Sequence, residues 1–259
     1  MSKMKIHPTA IVSPKAELAF DVEVGAFSFI GPEVKIGSGT SVGVHCMIDN
    51  HTTIGQSCRI FTGAVIGSFP QDLKYKGEKS FLKIGDNNII REYCTLNLGT
   101  GEGGLTQVGN GNLLMAYSHI AHDCVVGNDC IIANCGTLAG HVTIEDKVVV
   151  GGLVAIHQFV RMGTLSIVGG CSKVVQDIPP FSICDGHPTK VYGPNLIGLK
   201  RANLSEEAID GLKRAFKILF RLGLTTSHAI ERIQKEITPS SELNHLLKFI
   251  QTSERGIGR

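Results

Sequence analysis

The stretch AYSHIAHDCVVGNDC, residues 116–130, places His119, His122 and Asp123 within five positions of one another. An imidazole titrates near neutrality and can take a proton from a hydroxyl, while a carboxylate beside it fixes its tautomer and supports the imidazolium that forms. Groups of the same kind recur downstream: His141 follows Gly140, and His157 precedes Gln158. With residues eighteen apart stacked, His122 lies under Gly140 and Gln158, and Asp123 lies under His141 and Phe159. A glycine above an imidazole leaves a bare N–H that can approach a developing oxyanion. A general base and an oxyanion donor within reach of one carbonyl are the equipment of acyl transfer. A single histidine on such a corner is ordinarily a solvated surface group, but four of the ten histidines fall in this one patch.

The stacking interval comes from a repeat. Ile6, Val12, Leu18, Val24, Ile30, Ile36, Val42, Ile48, Ile54, Ile60 and Ile66 are aliphatic at every sixth position, and the beat resumes from Ile84 and runs to Val174, interrupted at Asp72, Glu78 and Glu102. The residue after each aliphatic is often glycine, as expected where the chain turns a corner and needs positive φ or a close backbone approach. Four residues after the aliphatic comes a small side chain, including Cys46, Cys58, Cys94, Cys124 and Cys130. Each unit is one short strand plus a corner, so three units make a coil of about 18 residues and each coil stacks about 4.8 Å above the last. The two stretches that break the beat, near 68–83 and 97–107, are polar loops of the sort that leave a rigid scaffold to carry function.

After residue 200 the period becomes helical. Ser205 offers an N-cap, Glu206 and Glu207 sit in the first turn and Gly223 ends the run, and two further helices follow. Residues 1–195 are expected to form the parallel β-helix and residues 196–259 an α-helical C-terminal domain, an all-β fold with an α tail.

The 25 basic and 23 acidic side chains nearly cancel, which gives no pull toward nucleic acid, but residues 200–259 carry 11 Lys/Arg against 7 Asp/Glu and suit an acidic partner. No apolar run approaches the length of a membrane span, and the opening MSKMKIHPTA has no signal-peptide core, so a cytoplasmic location is expected. Thiols at small inward positions pack as hydrophobes, and without a CxxC pair neither disulfides nor structural zinc are expected.

The hexapeptide beat resembles that of the hexapeptide-repeat transferases, and this resemblance, rather than the spacing, implies left-handed winding. The segments PQDLKYKGE, SHIAHDCVVGN, TLAGHV, IHQF, VGGCSKV and NLIGLKR together resemble the UDP-N-acetylglucosamine O-acyltransferases that begin lipid A biosynthesis, over essentially the whole chain. The resemblance implies transfer of a 3-hydroxyacyl group from acyl carrier protein to the sugar 3-hydroxyl, on a homotrimer with active sites between subunits. The donor's phosphopantetheine belongs to the carrier, so no cofactor or metal is implied. By the same resemblance His122 is the base, Asp123 its partner and Gly140 the oxyanion donor. His119, His141, His157 and Gln158 line the substrate pockets, and Asp72 and Lys74 hold the glucosamine ring and the polar head of the acyl chain. Asn195 and Arg201 contact the nucleotide, and Gly170 keeps the acyl groove long. Two departures bear on the sugar contacts: Asn97-Leu98 stands where relatives often have His-Arg, and Ile197 where they often have an acid. Acylation of a 3-amino UDP-sugar therefore stays open. So does a zinc enzyme of the carbonic anhydrase type using His119, His122 and His141.

Overall fold

The computed structural model describes residues 5–258. From Lys5–Ile6 to Lys173–Val174 short strands follow one another and assemble into three parallel sheets of 11, 9 and 8 strands, the first of these also taking in a later hairpin. The sheets are the faces of a triangular prism. Each residue pairs with the one a coil later, as in Val125 with Thr143 and Thr143 with Arg161.

The register jumps twice. Thr52 pairs with Leu82 and Leu82 with Thr106, so one coil is twelve residues longer than the basic eighteen and the next is six residues longer. The extra residues leave after Val65–Ser68 and after Thr95–Asn97, both on the 9-stranded face, and return as Phe81–Ile84 and Leu105–Val108 on the 8-stranded face. Both loops therefore spring from the same edge, and His122 lies on that edge two coils and one coil above them.

The aliphatic beat fills the prism: Ile30, Ile48, Ile66, Leu96, Ile120 and Leu138 are fully buried. Each such side chain contributes roughly 1.5–3 kcal/mol of burial. The small inward position has a second task. Its thiols and hydroxyls donate to corner carbonyls one strand on, Cys46 to Phe61 O and Cys124 to Ala139 O at 3.1 Å, and Thr40 to Gly55 O at 2.8 Å. Asn88 and Asn112 occupy the same column, Asn112 donating to Asn88 Oδ1 and Gly127 O.

At the corners the structure separates the two uses of glycine that the sequence left open. Apart from Gly67 at φ +82°, positive φ falls not on the glycine after each aliphatic but two residues later, on Phe27, Tyr93, Tyr117, Asp123, His141 and Phe159 among others. The glycines answer to close approach instead: a Cβ on Gly25 would stand 2.6 Å from the Gly43 carbonyl carbon in the next coil.

Where the beat ends, Ser182–Gly186 and Thr189–Pro194 form an antiparallel hairpin, which the repeat did not foreshadow. Four helices follow: α1 Leu196–Arg201, α2 Glu206–Arg221, α3 Thr226–Glu236 and α4 Ser241–Gln251. Ser205 caps α2 as the sequence indicates, accepting from Ala208 N–H, and Gly223 adopts φ +66°. The short α1 was not anticipated, because six residues carry too little periodicity to read. Helix α4 is pinned to the prism by His245 to Glu145 at 2.7 Å and by Arg161, which lies 4.4 Å over the Phe249 ring. No helix of the described residues is long and apolar enough to cross a membrane.

Candidate active site

His122 and Asp123 occupy the corner between His119–Ile120 and Val125–Val126. In an extended chain neighbouring side chains point to opposite sides. The left-handed φ of +59° at Asp123 breaks that alternation, and its Oδ2 meets His122 Nδ1 at 2.8 Å. A carboxylate only accepts, so Nδ1 carries the proton and Nε2 is left with the lone pair a base requires. The His122 side chain is 8% exposed and that of Asp123 14%.

Burial by itself raises the pKa of Asp123, but hydrogen bonds from Thr100 and His122 outweigh it and hold the carboxyl below its usual range. His119, one strand earlier, has its pKa lowered, first by burial and then by the charge on His122, and its Nδ1 pairs with Thr95 Oγ1 at 2.7 Å.

Gly140 lies directly over the base. A Cβ there would stand 2.6 Å from His122 Nε2, so the imidazole fills the space a side chain would take. The Gly140 N–H donates to no acceptor among the described residues, whereas its neighbours Ala139 and His141 donate to Ile156 O and His122 O. Pro8, Pro14 and Pro32 occupy the same position of the repeat, which shows that the sheet does not use this N–H. His141 Nε2 lies 3.6 Å from Asp123 Oδ2, and its ring stacks on Phe159 at 4.7 Å. Gln158 tops the column, and His157 beside it is exposed. A cavity of about 250 Å³ opens against His141 and Phe159 and runs to Arg161 and Arg255, while a larger one of about 580 Å³ lies far off, over Lys5, Ser41 and Arg59. The smaller one borders His141 but is not lined by His122, Asp123 or Gly140.

The other expected residues are distributed around the prism. Asp72 and Lys74 lie in the loop between Ser68 and Phe81, where the Lys74 N–H donates to Asp72 Oδ1 at 2.9 Å and the tip residue Leu73 is fully exposed. Gly170 is on the edge between the 11- and 9-stranded faces, with Gly152 beneath it. Asn195 caps α1, accepting from Gly198 N–H and donating to Leu165 O, which puts it on the edge between the 8- and 11-stranded faces. Arg201 ends the same helix and is exposed. Asn97 and Leu98 are buried and brace the base of the loop, Asn97 donating to Phe69 O at 3.0 Å. Ile197 projects into solvent. Thr100 and Thr106, which the motifs did not single out, both bond Asp123.

His122, Asp123 and His141 are also the set whose ligand atoms come within 4.8 Å of one another. Asp123 Oδ2 is already shared by the Thr100 hydroxyl and His122, so a metal there would have to break the base–carboxylate pair. The donor set suits proton transfer better than coordination.

Residues 177–258 match the family model described as UDP N-acetylglucosamine O-acyltransferase, domain 2, and residues 105–140 match the bacterial transferase hexapeptide. The acyl-[acyl-carrier-protein]–UDP-N-acetylglucosamine O-acyltransferase of Thiobacillus denitrificans is 50% identical over 98% of this chain and 99% of its own. The chain belongs to the UDP-N-acetylglucosamine O-acyltransferase family. The family member from Thermodesulfovibrio yellowstonii is 51% identical over 98% of this chain and 99% of its own. The LpxA structure from Acinetobacter baumannii superposes with a TM-score of 0.94 at 46% identity, covering 98% of this chain and 99% of that one. The prism is thus the left-handed β-helix of these O-acyltransferases.

Proposed function

We propose that the protein transfers a (3R)-3-hydroxyacyl group from acyl carrier protein to the glucosamine 3-hydroxyl of UDP-N-acetylglucosamine, opening lipid A biosynthesis in the cytoplasm. The observation that carries the mechanism is the column of His122, backed by Asp123 and roofed by a glycine with a free N–H. His122 Nε2 takes the proton of the sugar hydroxyl as its oxygen attacks the thioester carbonyl. The Gly140 N–H receives the developing oxyanion. When the C–S bond breaks, the imidazolium returns its proton to the departing pantetheine thiolate, so the base is regenerated and no net charge is left behind. Asp123 stabilises the imidazolium between these steps.

A cavity of about 250 Å³ is too small to enclose a nucleotide sugar and a long acyl chain. Asn195 and Arg201 start from a different edge of the prism from His122, with the 8-stranded face between them. A neighbouring copy that brings this second edge against the first, as in a closed trimer, completes the pocket. The acyl chain then crosses the 9-stranded face past Thr137 and Ala155 toward Gly170, roughly 13 Å further along the axis at one strand spacing per coil. The excess of basic residues over acidic ones beyond residue 200 favours the acidic carrier protein.

The test is turnover of UDP-N-acetylglucosamine with 3-hydroxyacyl carrier protein by wild type and His122→Ala. A loss of about 10³-fold or more in kcat with folding intact supports the base; near-normal turnover by the variant overturns it. Product from a 3-amino UDP-sugar but none from UDP-N-acetylglucosamine would change the acceptor and keep the mechanism.

A further inference from the structure

Asp123 is gripped by a residue outside the repeat. Thr100, in the loop between Asn97 and Leu105, donates its hydroxyl to Asp123 Oδ2 at 2.5 Å and its backbone N–H to Oδ1 at 3.0 Å. Both carboxylate oxygens are thus held by one residue, and the oxygen that faces His122 Nδ1 receives the hydroxyl. The Asp123 N–H donates to Thr106 Oγ1 at 2.8 Å, which fixes the left-handed backbone from the other side. We propose that Thr100 is a positioning residue for the acyl transfer, holding Asp123 ionised and aimed at His122. The proposal rests on the reading of His122 as the base.

The loop is built to hold this contact. Gly104 packs against the Thr100 carbonyl so closely that no side chain fits there, and the Gly104 N–H closes the loop on Gly101 O at 3.2 Å. The other insertion is tied in as well: Gly103 N–H donates to Lys79 O at 2.8 Å, and Lys79 N–H to Glu102 Oε2 at 3.2 Å. The segment that carries Asp72 and Lys74 and the segment that carries Thr100 are therefore tied to each other.

The charged and titratable groups facing Asp123 are His122 on its own corner and His141 from the coil above, with His119 acting on His122 from the preceding strand. A hydroxyl donor favours the anionic form of a buried carboxylate. Removing it raises the proton affinity of the His122–Asp123 pair, whichever member takes the proton, so the acid limb of activity moves to higher pH.

The experiment measures kcat, KM for UDP-N-acetylglucosamine and the pH profile of kcat/KM for Thr100→Val, Thr100→Ala and Thr100→Ser, with His122→Ala in parallel. Valine and alanine are expected to lower kcat about 10- to 100-fold, leave KM within about twofold, and raise the acid limb by about half a pH unit or more, while serine restores both. Normal kcat with an unmoved limb in the valine and alanine variants overturns the proposal. So does a loss of activity that serine does not rescue, or that leaves the limb in place, since a merely structural threonine behaves in that way. Near-normal turnover by His122→Ala overturns the base reading separately, whatever the threonine variants do.

Discussion

A methyl group at position 140 has nowhere to go while His122 keeps its place, because 2.6 Å to Nε2 is well inside contact distance. Gly140 is not among the positive-φ residues, so alanine is compatible with its backbone and the conflict is with the imidazole alone. Gly140→Ala is expected to lower kcat/KM by about 100-fold or more while shifting Tm by no more than about 2 °C, a separation that activity and thermal melts check together. At Asp123 the expectation concerns pH. The folded-state pKa is depressed, so the carboxylate is in place at neutral pH and its support is lost only as pH falls through that lowered value. Asp123→Asn removes the charge at every pH, and because the imidazolium loses its stabilising partner the acid limb of kcat/KM moves to lower pH as kcat falls about 100-fold. An unmoved limb would show that Asp123 does not act on the base. The stacking of Gly140 over His122 was legible because the two are one eighteen-residue coil apart. Thr100 was not, since an insertion of irregular length shifts it out of the column and sequence spacing says nothing of where a loop folds back.

The strands were readable for the same reason, each aliphatic of the beat marking one, whereas the corners left two explanations open. Glycine signals either left-handed φ or crowding, and composition cannot tell which; here Gly39, Gly63 and Gly111 share the left-handed positions with Tyr93, Tyr117 and Phe159, while glycines such as Gly25 and Gly140 relieve crowding. The inner polar column is costly to lose. Asn112 bonds Asn88, the Gly127 carbonyl and the Cys130 N–H inside the prism, so Asn112→Leu leaves buried partners unpaired and is expected to cost about 3 kcal/mol, measurable by denaturant unfolding. The thiols of that column are inert, burial pushing Cys130 up to about 11. The attachment of α4 is expected to depend on pH. Burial tends to raise the pKa of Glu145, but His245 and the Thr164 N–H and hydroxyl lower it on balance, so the contact stabilises above the ordinary carboxylate range and fades as pH falls below it. With both side chains partly exposed its contribution is about 1 kcal/mol. Glu145→Gln should therefore lower Tm by a few degrees at pH 7 and by less near pH 3, and an equal loss at both would show that the charge is not what holds the helix.

On the scale of the whole molecule, the expected site residues fall on three different edges of one prism: His122 between the 9- and 8-stranded faces, Asn195 between the 8- and 11-stranded faces, and Gly170 on the third. A parallel β-helix is too rigid to bend those edges together, since its coils are fixed by continuous ladders from end to end. The proposed site, shared between edges, would draw on a second chain, and this can be tested without a structure of the assembly. His122→Ala and Arg201→Ala each remove one half of such a site and each should be nearly inactive alone. If the halves come from adjacent chains, co-refolded mixtures regain activity, because a site built from an Arg201→Ala chain's His122 and a His122→Ala chain's Arg201 contains neither substitution. Random assembly of equal amounts into rings leaves roughly one quarter of the sites intact, so activity should rise to about that fraction of wild type. If each site lies within one chain, every site keeps its own defect and the mixture stays as inactive as its parts.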